Sequence, residues 1–166
     1  MVTLAACGGS DPPPTDGPEA GSGAAMLSSL AAFEHAAAVA WGAIGERLQG
    51  EGSGYARTIR AHQARHAERI SALIRELGGE PPEGRPREEY ESGFPLMRDQ
   101  DEALRFAADL EEQLVRAHLD ALQTLPEEDQ RRAVAEIAAE EAEDLAVVYV
   151  LSGEPAAQLP FVTGTQ

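Results

Sequence analysis

The chain is poor in the residues that cross-link, stack or carry positive charge. It holds a single cysteine, Cys7, so no intrachain disulfide can form and no cysteine cluster can bind a metal. Aromatic residues make up only 5% of the 166 residues against 43% hydrophobic overall, and alanine and leucine fill most apolar positions. That balance disfavours sheets of β-branched and aromatic strands and points to an all-α protein. Lys and Arg number 13 against 29 Asp and Glu, a formal net charge of −16. Such a surface repels phosphate backbones and anionic headgroups, and no basic stretch interleaved with aromatics offers a nucleic-acid footprint. Nucleic acid is therefore not expected as a partner, and the acidic residues read mainly as solvated helix faces. No run of ~20 apolar residues is expected to cross a membrane. Nucleophilic triads, phosphate-binding glycine loops and redox cysteine pairs are also lacking, so any catalysis would run through a metal.

What is present divides into a tether, a helical domain and a short tail. The length suits one domain with a hydrophobic core. Residues 1 to about 25 are rich in Gly, Pro and small polar residues and read as a disordered tether. From Met26 the pattern turns helical, with the seam Leu27, Leu30, Glu34, Ala37, Trp41, Ile44 and Leu48 stepping by three and four. A turn is expected at Gly50-Glu51-Gly52-Ser53-Gly54. The second helix, about Tyr55 to Leu77, has the seam Ile59, Gln63, His66, Ile70, Leu73 and Leu77 and ends at Gly78-Gly79. Residues 80 to about 100 carry four prolines and read as a long connection that could run the length of a bundle.

The third helix, about Asp101 to Gln123, has the seam Leu104, Ala107, Glu111, Leu114, His118 and Ala121. Thr124-Leu125-Pro126-Glu127 reads as a capping box for the fourth helix, whose seam is Val134, Ile137, Glu141, Asp144, Val148 and Leu151. Gly153 and Pro155 stop it, and the tail 154–166 carries Leu159, Phe161 and Val162, expected to dock on the bundle. The connections run short, long, short, which is the order of two helical hairpins joined by one crossover between helices 2 and 3.

Every seam is interrupted near its middle by groups foreign to an apolar stripe: Glu34, then Gln63 and His66, then Glu111, then Glu141 and Asp144. Both pairs are spaced i, i+3, which places the two side chains on one helix face. Burying four carboxylates unpaired would cost several kcal/mol each, on the order of one ion's desolvation, and a cation would resolve this. The alternative is a buried network with Arg65, Arg69 and Arg116, which lie within a turn or two, and no metal. His118 sits two turns beyond Glu111 on its seam, His35 and His62 lie off their seams, exposed or half-buried, and all three read first as plain structural histidines, with a role behind the site as the alternative for His118.

This arrangement resembles diiron proteins of the ferritin-like family, which place one Glu on each of two helices and Glu-x-x-His on the other two. The segments Leu30-Ala31-Ala32-Phe33-Glu34-His35-Ala36, His66-Ala67-Glu68-Arg69, Ala108-Asp109-Leu110-Glu111 and Glu141-Ala142-Glu143-Asp144-Leu145-Ala146-Val147 look like those of bacterial ferritin-like domain proteins. The closing Leu159-Pro160-Phe161-Val162-Thr163-Gly164 is similar to the tails of that group. The resemblance implies Glu34 and Glu111 as terminal ligands, positions 63 and 141 as bridges, positions 66 and 144 completing the two ends, and His118 behind the ligands.

Two positions depart from the pattern: Gln63 stands where the family has a bridging Glu, and Asp144 where it has His. A neutral amide rarely bridges cations, so the expectation shifts from two ions to one, held by Glu34, His66 and Glu141. Iron or manganese is the expected cofactor if metal is bound at all. If the protein is an enzyme at all, the expected class is a metal-dependent, ferroxidase-like oxidoreductase. Leu4-Ala5-Ala6-Cys7 resembles the lipobox of bacterial lipoproteins, which implies a cell-envelope location and lipid attachment at Cys7 as the only membrane contact. A signal of that kind needs a basic segment and an apolar run of roughly 7 to 15 residues, so the leader is expected to extend upstream of Met1. With the tether lipidated, a storage cage is not expected, and the chain reads as a monomer or homodimer. Against the metalloprotein stands a second reading, a non-enzymatic structural or stress-related lipoprotein that has lost metal binding.

Overall fold

The computed structural model of the chain describes residues 20–155. Cys7, the tether before Ala20 and the tail residues 156–166 lie outside the described residues. Four long helices and one short one make up the fold: α1 (Ala20–Gly45), α2 (Glu51–Glu76), α3 (Arg87–Glu91), α4 (Gln100–Thr124) and α5 (Glu128–Leu151). Helices α1 and α2 form one antiparallel hairpin and α4 and α5 another, with α1 packed on α4 and α2 on α5. No strand occurs among the described residues.

The seams face inward as their periodicity predicts. Leu27, Leu30, Trp41, Ile44, Ile59, Ile70, Leu114 and Val134 are all at most 2% exposed. They divide into two apolar clusters. One gathers Trp41, Ile44, Leu48, Ile59, Leu104 and Leu114 near the α1–α2 turn, and the other gathers Leu27, Leu30, Ile70, Leu73, Val134 and Ile137 near the α4–α5 turn. The exception on the seams is Leu77, 46% exposed, because α2 has already ended. There Gly78 takes φ 76°, its N–H reaches the Arg75 carbonyl, and the Gly79 N–H reaches the Ile74 carbonyl, a glycine stop of the Schellman type.

The crossover runs along α1 from one end of the bundle to the other. It passes the His35 ring at Gly84, is clamped at Arg87 to Glu46 (2.7 Å) and returns at Gln100, whose side chain accepts from the Gln49 N–H. Phe94 packs on Phe106 and Met97 is buried in the first apolar cluster. The short helix α3 inside this connection was not expected from the proline-rich sequence.

Four local readings are corrected. First, α1 begins at Ala20, ahead of Met26, because alanine and glycine continue a helix without the large side chains that mark a seam. Second, the turn lies upstream of the expected glycine-rich stretch: α1 ends at Gly45, ahead of the seam residue Leu48, residues 46–50 form the connection, and Gly50 closes it with φ 58°. Gly52, Ser53 and Gly54 are already helical. Third, Thr124 does not cap α5. It closes α4, its hydroxyl donating to the Ala121 carbonyl, and the true side-chain cap in this half is Asp99, which accepts from the Glu102 N–H. Finally, Gly23–Gly45 within α1 is long and apolar enough to cross a membrane by length and composition, since alanine counts as apolar though no unbroken run exists. Within the fold its seam is packed inside the bundle.

Candidate metal centre

The two apolar clusters are separated by a polar layer to which each long helix contributes. Glu34 comes from α1, Gln63 and His66 from α2, Glu111 and His118 from α4, and Glu141 and Asp144 from α5, none more than 5% exposed. The i, i+3 pairs on α2 and α5 therefore do share one face, as the sequence implies.

The layer has two halves. In the histidine half, His66 Nδ1 lies 2.7 Å from Glu141 Oε1 and 3.7 Å from Glu34 Oε2. His118 Nδ1 lies 2.8 Å from its own helix's Leu114 carbonyl, and Nε2 lies 3.0 Å from Glu34 Oε1. In the amide half, Gln63 Nε2 donates to Glu141 Oε2 (3.0 Å) and Glu111 Oε1 (3.3 Å). The Trp41 indole N–H donates to the same Glu111 oxygen at 2.5 Å.

Two further pairs close the layer toward solvent. His66 Nε2 meets Glu140 Oε2 at 2.6 Å, and His62 Nδ1 meets Asp144 Oδ2 at 2.9 Å. Asp144 is thus turned to His62 rather than to the His66 cluster. His62 is half-buried, as expected, but it holds the Asp144 carboxylate rather than serving as a plain structural residue. The arginine network is not found: among the described residues no ion pair joins Arg65, Arg69 or Arg116 to these carboxylates, and the Arg116 Nε is buried without a hydrogen bond.

Charge in the layer is carried unevenly. Burial works against a charged His66, but the hydrogen bonds it donates to Glu141, Glu34 and Glu140 outweigh it and raise its pKa to about 10. Burial and the neighbouring Glu141 charge push Glu111 well above the usual carboxylate range. Burial would also raise Glu141, yet hydrogen bonds involving His66, Glu111 and Gln63 hold it below its ordinary value. His66 ordinarily titrates at 6.5, so its contribution to metal-free stability is complete below that pH and is lost as pH rises through about 10. The melting temperature of the metal-free protein is therefore expected to fall steadily across that window, and a flat profile by circular dichroism would contradict this charge assignment.

The fit of a cation rests on the atoms left over. Both Glu34 oxygens, Glu111 Oε2 and His118 Nε2 are buried and make no aligned hydrogen bond. Ligand atoms of Glu34, His66 and Glu141 all lie within 4.8 Å of one another, close to the ~4 Å span of donors that share an ion at about 2.0–2.2 Å. Two carboxylates and an imidazole suit Fe²⁺, Mn²⁺ or Zn²⁺. Three contributors were not singled out by sequence reasoning. Glu140 reads as exposed, His62 falls off its seam, and Trp41 counts as core. A signal for the last was available, since a buried indole N–H requires an acceptor and Glu34 already marked that seam as polar.

Two antiparallel hairpins, a crossover along the bundle and a carboxylate–histidine layer at mid-height define the ferritin-like class of helical bundle. The chain belongs to the ferritin-like domain family, whose model matches residues 22–154. Among solved structures it is similar to a conserved hypothetical protein from Mycobacterium tuberculosis, with a TM-score of 0.72 and 15% identity over 80% of this chain and 98% of that one. That likeness concerns the fold alone. No curated protein matches the sequence.

Proposed function

We propose that this chain is a ferritin-like metalloprotein that holds one divalent transition-metal ion, iron or manganese, at Glu34, His66 and Glu141. The observation that carries the reading is the convergence of these three buried side chains from α1, α2 and α5. A bound Fe or Mn ion would supply Lewis acidity and one-electron redox capacity. The residues themselves bind and orient. Glu140 fixes the outer nitrogen of His66 and leaves Nδ1 toward the centre. The flanking apolar clusters limit water on both sides.

The test is anaerobic titration of the full chain with Fe²⁺ and Mn²⁺, read by calorimetry. Saturable binding lost in Glu34→Ala supports the site, and no binding at millimolar metal sinks it. One observation favours the second reading, a structural bundle without metal: both ring nitrogens of His66 already meet carboxylates, at 2.7 and 2.6 Å. That same titration decides between the two.

For location we propose the cell envelope, with the chain anchored by lipid on Cys7; the support is the lipobox-like Leu4-Ala5-Ala6-Cys7 and the Gly/Pro-rich stretch after it. Labelled palmitate should enter the protein in a bacterial host and fail to enter Cys7→Ser. Equal labelling of both would remove the anchor.

A further inference from the structure

We infer that Gln63 sets the stoichiometry of the core: its side-chain amide takes the place that a second cation would otherwise occupy between Glu111 and Glu141. The inference rests on the reading that the histidine half binds metal, and it concerns the other half.

Glu141 divides its two oxygens between the halves. Oε1 faces His66 and Oε2 accepts from the Gln63 amide. Glu111 faces only the amide half, with Oε1 shared by Gln63 and Trp41 and Oε2 buried without a partner. Gln63 therefore joins carboxylates from α4 and α5 by two N–H contacts, at 3.3 and 3.0 Å. A carboxamide nitrogen carries two donor hydrogens and no available lone pair, so it satisfies carboxylates and cannot ligate. Turning the amide over would set its carbonyl oxygen against both carboxylates with only the Trp41 N–H in between. Gln63 is fully buried, so it cannot swing into solvent to make room.

The amide does locally what a cation does, with partial rather than full charge. It fills the space between Glu111 Oε1 and Glu141 Oε2 with donor hydrogens, so that half of the layer is closed by an amide instead of a metal. A carboxylate at position 63 would reverse this. Three carboxylates would then meet with one indole N–H among them, and burying that charge requires a cation.

The experiment is equilibrium dialysis of the full chain against Mn²⁺, read by elemental analysis, on wild type and Gln63→Glu. The expected result is one ion per wild-type chain and two per Gln63→Glu chain. One ion in both overturns the inference and leaves the metal reading standing, and two ions in wild type also overturns it. No ion in either protein removes the metal reading and the inference with it. Electron paramagnetic resonance of Mn²⁺-loaded wild type gives a second readout that does not depend on the variant folding. Isolated Mn²⁺ signals are expected at every loading, and spin-coupled pairs in wild type would overturn the assignment.

Discussion

Alanine at position 141 is expected to abolish saturable binding of Fe²⁺ or Mn²⁺, raising the dissociation constant by at least about 100-fold. Among the described residues Glu141 is the side chain that touches both halves of the polar layer, through His66 on one side and Gln63 on the other. Its removal takes one of three ligands from the histidine half. In the metal-free protein it also removes the carboxylate that does most, among its partners, to raise the His66 pKa, leaving Glu140 and Glu34 to hold the ring. With two carboxylates still on His66, the cost is that of one charged hydrogen bond, about 1.5–3 kcal/mol, rather than that of an uncompensated buried charge. Urea denaturation of the metal-free variant should show a loss of that order, and Glu141→Gln, which keeps volume and one acceptor, should lose less. Metal affinity within a few-fold of wild type in Glu141→Ala would refute the assignment of the ligand.

Trp41→Ala is expected to destabilise the protein by about 3–5 kcal/mol, the range for removing a large aromatic from a packed core. Trp41 is 1% exposed and sits where the first apolar cluster meets the polar layer. It supplies hydrocarbon to Ile44, Leu48, Leu104 and Leu114, and an indole N–H to Glu111. Trp41→Phe separates the two roles, since it keeps most of the volume and removes the donor. It should cost about 1–3 kcal/mol, the penalty of a buried acceptor left unsatisfied. If Phe and Ala are equally damaging by denaturant titration, packing contributes little and the hydrogen bond dominates. If Phe is neutral, Glu111 does not need the indole.

The seams, the crossover and the buried polar positions were legible because they depend on periodicity, and a buried face repeats in sequence every three or four residues. Glu34, Gln63, His66, Glu111, Glu141 and Asp144 stood out for the same reason, each being polar where the period demands apolar. What periodicity cannot supply is the partner across the bundle. His62 and Asp144 are 82 residues apart and His66 and Glu140 are 74 apart, and nothing local to either pair announces the contact. The arginines near the seams were plausible counterions by sequence distance, but histidines, Gln63 and Trp41 compensate the carboxylates instead. Ends were misread where small residues carry them. Ala20 to Ala25 continue α1 with no bulky side chain, and Gly52 and Gly54 sit inside α2 although they look like turn residues. The capping box was read at Thr124 when the same chemistry lay at Asp99 and Glu102. There the Asp99 carboxylate takes the Glu102 N–H, and the Glu102 carboxylate takes the Arg98 N–H.

The crossover has a consequence for how the molecule could be taken apart. Glu34, Gln63 and His66 belong to the first hairpin, whereas Glu111, His118, Glu141 and Asp144 belong to the second. Neither hairpin alone holds a complete polar layer, and the chain connects them through a strap whose Gly84 and Arg85 are exposed. A backbone cut there would yield two fragments with complementary halves of one interior. Such fragments would act as an affinity pair, and an ion at the centre would be the rivet between them.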